Sequence, residues 1–556
     1  MDYRVVTNAM LLLPLASLLG ACGAASGTAD LGLQTTERVK KECLDGTTVA
    51  WNQTCPTSSP PPTTTTAPIP VASTATVAYD TSIGTAVDAD GFASLPLRAG
   101  ARRYFVNSTT GADANGCTNA QQAAKPLKTI NAAISCVQDG SGDQVLIAEG
   151  LSYNDVLPWV AFKGGNSAQY PTVIQSYDPA DPLNEAKYGR GDQHGARPVL
   201  TAAQTQIANG VYSFLVFRGL DFNPGNIPGV TLTFVGQSNY ILFENNIFRF
   251  TSLSFDKGDK TQSSRHIFRN NSFYGQWSTG GRTGGIYDSG TDAITLEDNV
   301  FWHNGWRVGG NRDDAYTVGG ATVFSHPFYM QTDTTAVIIR RNLSVDGAGD
   351  GGIARGDAIV SENLSIDNPA CLGLGGGPSY NTDRPNGVMI EASYNACFGD
   401  ADVNSTHPLG WAFNTANGNL GSRVHHNLIA RSRNQLGPEM QGFSNYAAYD
   451  QASYALYDYN VMYKWVAVNG TVYSGGGSYP AKAFSTYQNN IWDGPSEGTN
   501  ISSAAVAFPN PYTAASLYSA LGYADKNAFV TDAINAPQKQ LQRRARALLF
   551  TGYGLK

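Results

Sequence analysis

Nine times between residues 241 and 492 the chain repeats one short pattern: two or three apolar or β-branched residues, a polar pair ending in Asn, then an apolar step. It reads ILFENNIF, HIFRNNSF, ITLEDNVF, VIIRRNLSV, AIVSENLSI, EASYNACF, RVHHNLI, ALYDYNVM and TYQNNIW. The Asn residues are 246, 271, 299, 342, 363, 395, 427, 460 and 490, spaced by 25, 28, 43, 21, 32, 32, 33 and 30. The flanking residues alternate with the period of a strand and not of a helix. Self-similarity at such spacings predicts a solenoid, in which each coil buries the next.

The Asn has a physical task in such a fold. At a bend between strands its amide can bond to the equivalent amide one coil above and one below, satisfying polar groups that the turn leaves unpaired. The L-x-x-L-x-L frame of leucine-rich repeats is missing, and propeller blades need four strands per unit. Nine rungs at about 4.8 Å give a rod of roughly 40 Å before the flanking coils are added.

Composition narrows the class further. Charged residues are 15% of the 556, with 60 Gly and 27 Pro, which argues against a helix-rich, salt-bridge-laced protein. The net charge of -7 argues against nucleic acid as the main partner, because such partners select a basic excess.

The N-terminus reads as a targeting segment. An apolar stretch over residues 9–19 is too short to span a bilayer and ends in small residues, as a secretory signal does. Its end, Leu19-Gly20-Ala21-Cys22, resembles the bacterial lipobox. That resemblance implies cleavage after residue 21, lipidation of Cys22 and, with Gly after the Cys, the outer membrane of a Gram-negative cell. Setting Cys22 aside leaves six Cys, an even number in an exported chain. Proximity suggests the pairs Cys43–Cys55, Cys117–Cys136 and Cys371–Cys397, among the 15 pairings that six allow. After Cys55 comes CPTSSPPPTTTTAPIPVAST, an extended Pro/Thr spacer of roughly 60 Å at about 3.1 Å per residue. The expected organisation is a signal over 1–21, a tether with a small disulfide loop over 22–99, a solenoid over 100–535 and a C-terminal helix over 536–556.

The block YFVNSTTGADANGC, KPLKTINAAISCV and GDQVLIAEGLSYNDV, within residues 104–156, resembles the start of right-handed parallel β-helix proteins of the pectate-lyase-like superfamily. Residues 195–223 resemble the early coils of β-helix polysaccharide lyases. The resemblance implies an all-β, right-handed parallel β-helix with an N-terminal capping helix, and lyase, hydrolase or epimerase activity on a polysaccharide, or glycan binding without catalysis. The residues agree: Leu127, Ile130, Ile134 and Val137 fall on one helical face, and QKQLQRRARALLF at 538–550 reads as a helix.

Upstream of successive ladder Asn residues lie GGIYDSG, SHPFYMQ and GGIARGD. On one side of adjacent coils these would stack Tyr287 and Asp288, Tyr329 and Gln331, and Arg355 in steps of about 4.8 Å, with His326 opening the middle strand. His326 shares strand parity with Phe328 and Met330, so catalysis and an inward structural role are both open. The 43-residue spacing makes 304–324 a long loop or an extra coil. We read it as a loop over the His326 strand that brings Trp306, Arg307, Arg312, Asp313 and Asp314 to substrate. Asp313-Asp314 also reads as a turn or a calcium site, although no cofactor is required. His425 and His426 read as facing opposite sides of a strand.

A β-elimination lyase on a uronate polymer needs a cation for the carboxylate, a base for the C5 proton and an acid for the leaving oxygen. Arg355, His326 and Tyr329 suit those roles, with the other cleft residues as binding groups. A hydrolase needs two carboxylates, for which Asp288, Asp313 and Asp314 are the supply. The Asn-x-Asp, Gly-His-Gly and Arg-x-Lys set of polygalacturonases and the Asp-Pro-His of alginate epimerases are absent. The expected partner is a polysaccharide, with membrane contact through the lipid alone and a monomeric body.

Overall fold

The structure is a computed structural model that describes residues 40–42, 48–50, 87–88, 91–157, 162–190, 196–256, 263–375, 388–399, 401–407, 409–416, 422–431, 440–444, 455–464, 473–474, 486–492, 501–502 and 508–555. The signal segment, Cys22, Cys43 and Cys55 lie outside these residues. Of the tether, Lys40–Glu42 pairs antiparallel with Thr48–Ala50.

Each coil contributes one strand to each of three parallel sheets. In one coil these are Ser238–Glu244 in a first sheet, Ile247–Arg249 in a second and Thr251–Asp256 in a third. Each pairs in parallel with its counterpart one coil on, at Ser263–Arg269, Ser272–Tyr274 and Gly284–Ser289. Among the described residues the sheets hold 14, 13 and 10 strands, which makes the fold a parallel β-helix. Inside it, identical side chains sit above one another. Phe217, Phe243 and Phe268 stack at 4.9 and 5.5 Å between centroids, and Phe222, Phe248, Phe273 and Phe301 at 4.8 to 4.9 Å. Aromatic columns of this kind bury area and add favourable ring contacts.

The Asn column forms the turn from the first sheet to the second. Amide Nδ2 of each Asn donates to Oδ1 of the next along all nine residues, at 2.9 to 3.1 Å. A second Nδ2 hydrogen reaches a backbone carbonyl, as from Asn271 to Phe243. The residue before each Asn takes a left-handed φ of 53 to 59°. Asn and Asp accept that conformation most readily, yet Arg341, Glu362, Tyr394, His426 and Tyr459 also occupy it. The ladder bonds hold the turn regardless of which side chain precedes them. This also corrects the histidine pair: His425 ends the strand Ser422–His425, His426 occupies the turn, and their Nδ1 atoms lie 2.7 Å apart. They do not face opposite sides of a strand.

The N-terminal end of the solenoid is closed. Helix Ile130–Cys136 starts at Thr129, whose side chain accepts from Ala132 N, and Leu127, Ile130, Ile134 and Val137 are all buried. Disulfide Cys117–Cys136 fastens it to the preceding turn, and Cys371–Cys397 joins the third sheet to the second sheet of the next coil. Both pairs are those that proximity suggests, and such bonds persist in extracellular or periplasmic compartments. No helix among the described residues is long and apolar enough to cross a membrane.

The chain leaves the solenoid earlier than position 535. The last described strand is Ile501–Ser502, and helices Ala514–Leu521, Lys526–Asn535 and Leu541–Gly552 follow. Leu517, Phe529, Ile534 and Leu549 pack on the outward Val300, Leu343, Leu364 and Leu428 of the second sheet. Ala93 and Leu95 cover Val173, Val216 and Leu242 on the first. The outer face of the third sheet is where a groove opens.

Candidate active site

The segment 303–325 is a loop, because strand Val300–Trp302 is followed in the next sheet by His326–Met330, which pairs directly with Gly284–Ser289. Beside this loop runs a cleft of about 710 Å³ lined from Thr231 to Trp411. It crosses seven successive third-sheet strands, six steps of about 4.8 Å or roughly 29 Å in all.

The register brings four of the expected residues together. Tyr287 lies opposite Tyr329, with rings stacked at 5.9 Å, and Tyr329 lies opposite Ile353. Arg355 N donates to Met330 O, so Arg355 follows one coil above Gln331. Arg355 Nε donates to Tyr329 Oη at 2.5 Å, and its guanidinium sits 5.1 Å from the centre of that ring. Gln331 Nε2 donates to Tyr287 Oη at 3.4 Å, while its Oε1 is sealed from solvent without a partner.

His326 satisfies both halves of the parity question. It points inward with Phe328 and Met330 and is 6% exposed, yet its ring lines the cleft. Glycines explain this: Gly284 is its register partner one coil below, and a Cβ on Gly349 would lie 3.1 Å from its Nδ1. Burial, and secondarily the charge of Arg355, holds the imidazole neutral down to about 3. Its centroid is 5.4 Å from that of Tyr329.

Asp288 is not a cleft residue. Being one position out of phase with Tyr287 it faces the interior, fully buried, where Thr291 Oγ1 and Thr334 Oγ1 donate to it at 2.7 and 2.8 Å. Nor does the loop deliver its polar residues to the cleft; none of Trp306, Arg307, Arg312, Asp313 and Asp314 lines it. Trp306 Nε1 donates to Asp346 O. Arg312 donates to the Asp346 carboxylate at 2.7 Å, to Gly347 O and to Asp402 O. Arg307 lies near Asp314 and over Trp277. Asp313 and Asp314 accept from the backbone N–H of Ser405 and Asn311. These residues tie the loop to the solenoid. No group of three or more His, Cys, Asp or Glu side chains converges as for a metal among the described residues.

The structure adds groups that sequence reasoning missed. Asp350 lies in the cleft with Oδ2 3.6 Å from His326 Nδ1, and burial pushes its carboxyl up to about 7 although Arg355 opposes this. Phe324, 60% exposed, forms one bank with Arg282 5.3 Å from its ring centre. Trp411 stands toward the C-terminal end, and Ser252 and Ser254 toward the other. Within GAGDGG, Asp350 reads as a turn residue; parity with His326 one coil below was the available signal.

No protein-family model matches the chain, and no curated protein matches it. Among solved structures it is similar to a GH136 lacto-N-biosidase from Eubacterium ramulus, with a TM-score of 0.39 and 13% identity over 70% of this chain and 64% of that one. It is also similar to an alginate lyase from a Paenibacillus species, at 0.34 and 13% over 67% and 98%. A rhamnogalacturonan lyase matches at 0.33 and 14% over 70% and 87%. Likeness at this level concerns the architecture and not the chemistry.

Proposed function

We propose that this protein is a polysaccharide lyase that cleaves a uronate-containing glycan by β-elimination. The observation that carries the reading is the meeting of Arg355, Tyr329 and His326 in one open cleft. A polymer laid along the coils would set a uronate carboxylate against the Arg355 guanidinium, which offsets the charge that develops when C5 loses its proton. Neutral His326 takes that proton, the C5–H electron pair forms the C4=C5 double bond, and the C4–O bond breaks. Tyr329 gives its phenolic hydrogen to the departing oxygen, and Arg355 is placed to hold the phenolate that results. Proton return from His326 to Tyr329 completes the cycle with no net proton consumed.

The hydrolase alternative needs two carboxylates about the scissile bond, whereas Asp350 is the one carboxylate that lines the cleft among the described residues. In this reading the chain is exported and anchored through lipid on Cys22, with the Pro/Thr tract holding the body off the membrane.

The test is incubation of the purified protein with alginate, polygalacturonate and glucuronate-containing bacterial exopolysaccharides, reading ultraviolet absorbance of unsaturated uronate together with new reducing ends. Both signals rise together for a lyase, and Arg355→Ala lowers kcat/KM by about 10²-fold or more. New ends without absorbance support a hydrolase, and solvent deuterium at C5 without cleavage an epimerase. Glycan retention with no chemistry on any polymer leaves a binding protein and ends the lyase reading.

A further inference from the structure

The pairing of Tyr329 with Ile353 sets position 350 directly above position 326. Both side chains point inward at the edge of the third sheet, and both reach the cleft because glycines flank them. A Cβ on Gly349 would sit 3.1 Å from His326 Nδ1, and one on Gly373 would sit 3.3 Å from Asp350 Oδ2. His326 Nδ1 is sealed from solvent and has no hydrogen-bond partner, and the atom facing it is Asp350 Oδ2 at 3.6 Å. An orphaned buried nitrogen opposite a carboxylate is costly in a resting state. It becomes useful if the gap closes when substrate fills the cleft, since hydrogen bonds of catalytic groups commonly tighten only in the complex.

We propose that Asp350 is a positioning residue for His326: its carboxylate accepts from Nδ1–H, so that the lone pair of Nε2 is presented to the sugar, and it stabilises the imidazolium formed at proton abstraction. The inference rests on the lyase reading of the cleft. In the step, the C5–H bond breaks and an N–H bond forms at Nε2, the electron pair becomes C4=C5, and the leaving oxygen takes the Tyr329 proton. Nδ1–H and the Asp350 carboxylate undergo no net change. The other charged or titratable groups facing the pair are Arg355, which acts on both, and Tyr329, whose ring lies against His326.

Two readouts separate this inference from the reading beneath it. The first is the tautomer of His326 in the full-length protein carrying ¹⁵N-labelled histidine, with the signal assigned by its loss in His326→Asn. At about pH 8.5, where the Asp350 carboxyl is ionised, the Nδ1–H form is expected in the wild type, shifting toward Nε2–H in Asp350→Asn. The second is steady-state kinetics on whichever uronate polymer the wild type degrades. Asp350→Asn is expected to lower kcat by about 10²- to 10³-fold with KM changed less than threefold, removing the acid limb of the kcat profile near pH 7. Asp350→Glu is expected to restore at least a tenth of kcat. An Nε2–H tautomer in the wild type, or a tautomer indifferent to Asp350→Asn, overturns the inference whether or not any polymer is cleaved. If the tautomer shifts as expected while the wild type cleaves nothing, it is the lyase reading that fails.

Discussion

Replacing Asn342 by Ala tests the ladder at an interior rung. Its Oδ1 accepts from the backbone N and from Nδ2 of Asn299, both at 3.0 Å, and its Nδ2 donates to Leu296 O and Asn363 Oδ1 at 2.9 and 3.0 Å. The residue is 2% exposed, so water cannot replace what Ala removes. Four hydrogen bonds at about 1 kcal/mol each, plus a penalty for the stranded partners, give a loss of about 4–6 kcal/mol. A typical whole fold is stable by only about 5–15 kcal/mol. Asn490→Ala, at the end of the described column, removes three such bonds, to Asn460 N, Asn460 Nδ2 and Tyr457 O, and is expected to cost about 3–4 kcal/mol. Urea unfolding followed by far-ultraviolet circular dichroism gives both numbers from the midpoint and slope. A loss under about 1 kcal/mol for Asn342→Ala would refute the claim that the ladder holds the turns.

Other outcomes follow from the cleft and the loop. Burial keeps Asp350 protonated up to about 7 and His326 neutral down to about 3, whereas the unfolded groups titrate near 4 and 6.5. Between about pH 4 and 6.5 both states therefore hold one proton on the pair and the wild type shows no slope from it. Asp350→Asn leaves the depressed His326, so stability is lost as pH falls from about 6.5, by up to ~1.4 kcal/mol per unit. His326→Asn leaves the raised Asp350, and stability is lost as pH rises from about 4 to 7; parallel urea midpoints across this range for wild type and variants would contradict both signs. Asp288→Ala strands Thr291 and Thr334 in the core and should cost about 3 kcal/mol, with KM on a cleaved polymer within twofold; a KM change without destabilisation would return Asp288 to the substrate. Arg312→Ala removes the contacts to Asp346, Gly347 and Asp402 and should speed proteolytic nicking within 303–325 at least tenfold, an effect absent if the loop is held by Trp306 alone.

The solenoid was legible because an amide that pairs with copies of itself demands the same residue type once per coil. Asn363 and Asn395 announce each other however different the 32 residues between them are. Side-chain columns followed from the same register, which is why Tyr287, Tyr329, Gln331 and Arg355 could be brought together from the sequence. Parity was weaker at strand edges. His326 obeys it and still reaches the cleft, because Gly284 and Gly349 open its flank, and an absent side chain leaves no mark in an alternation pattern. Asp350 was hidden for the same reason among its glycines. Arg312 and Trp306 have the chemistry of sugar contacts but are spent on Asp346, and composition does not separate a loop that grips substrate from one that grips its own scaffold. The helices Ala514–Leu521 and Lys526–Asn535 are too short to show a clear period, and their apolar sides make sense only against the second sheet.

The Asn column also has a direction. Every link runs from an Nδ2 hydrogen to the Oδ1 of the following coil, so nine amide dipoles lie head to tail with their positive ends toward the C-terminal side. Backbone dipoles aligned in this way give an α-helix its fractional terminal charges, and chains of hydrogen bonds polarise one another in a low-dielectric interior. The rod is thus electrically polar along its axis without any formal charge in the column. Each added coil lengthens that polarity as well as the cleft.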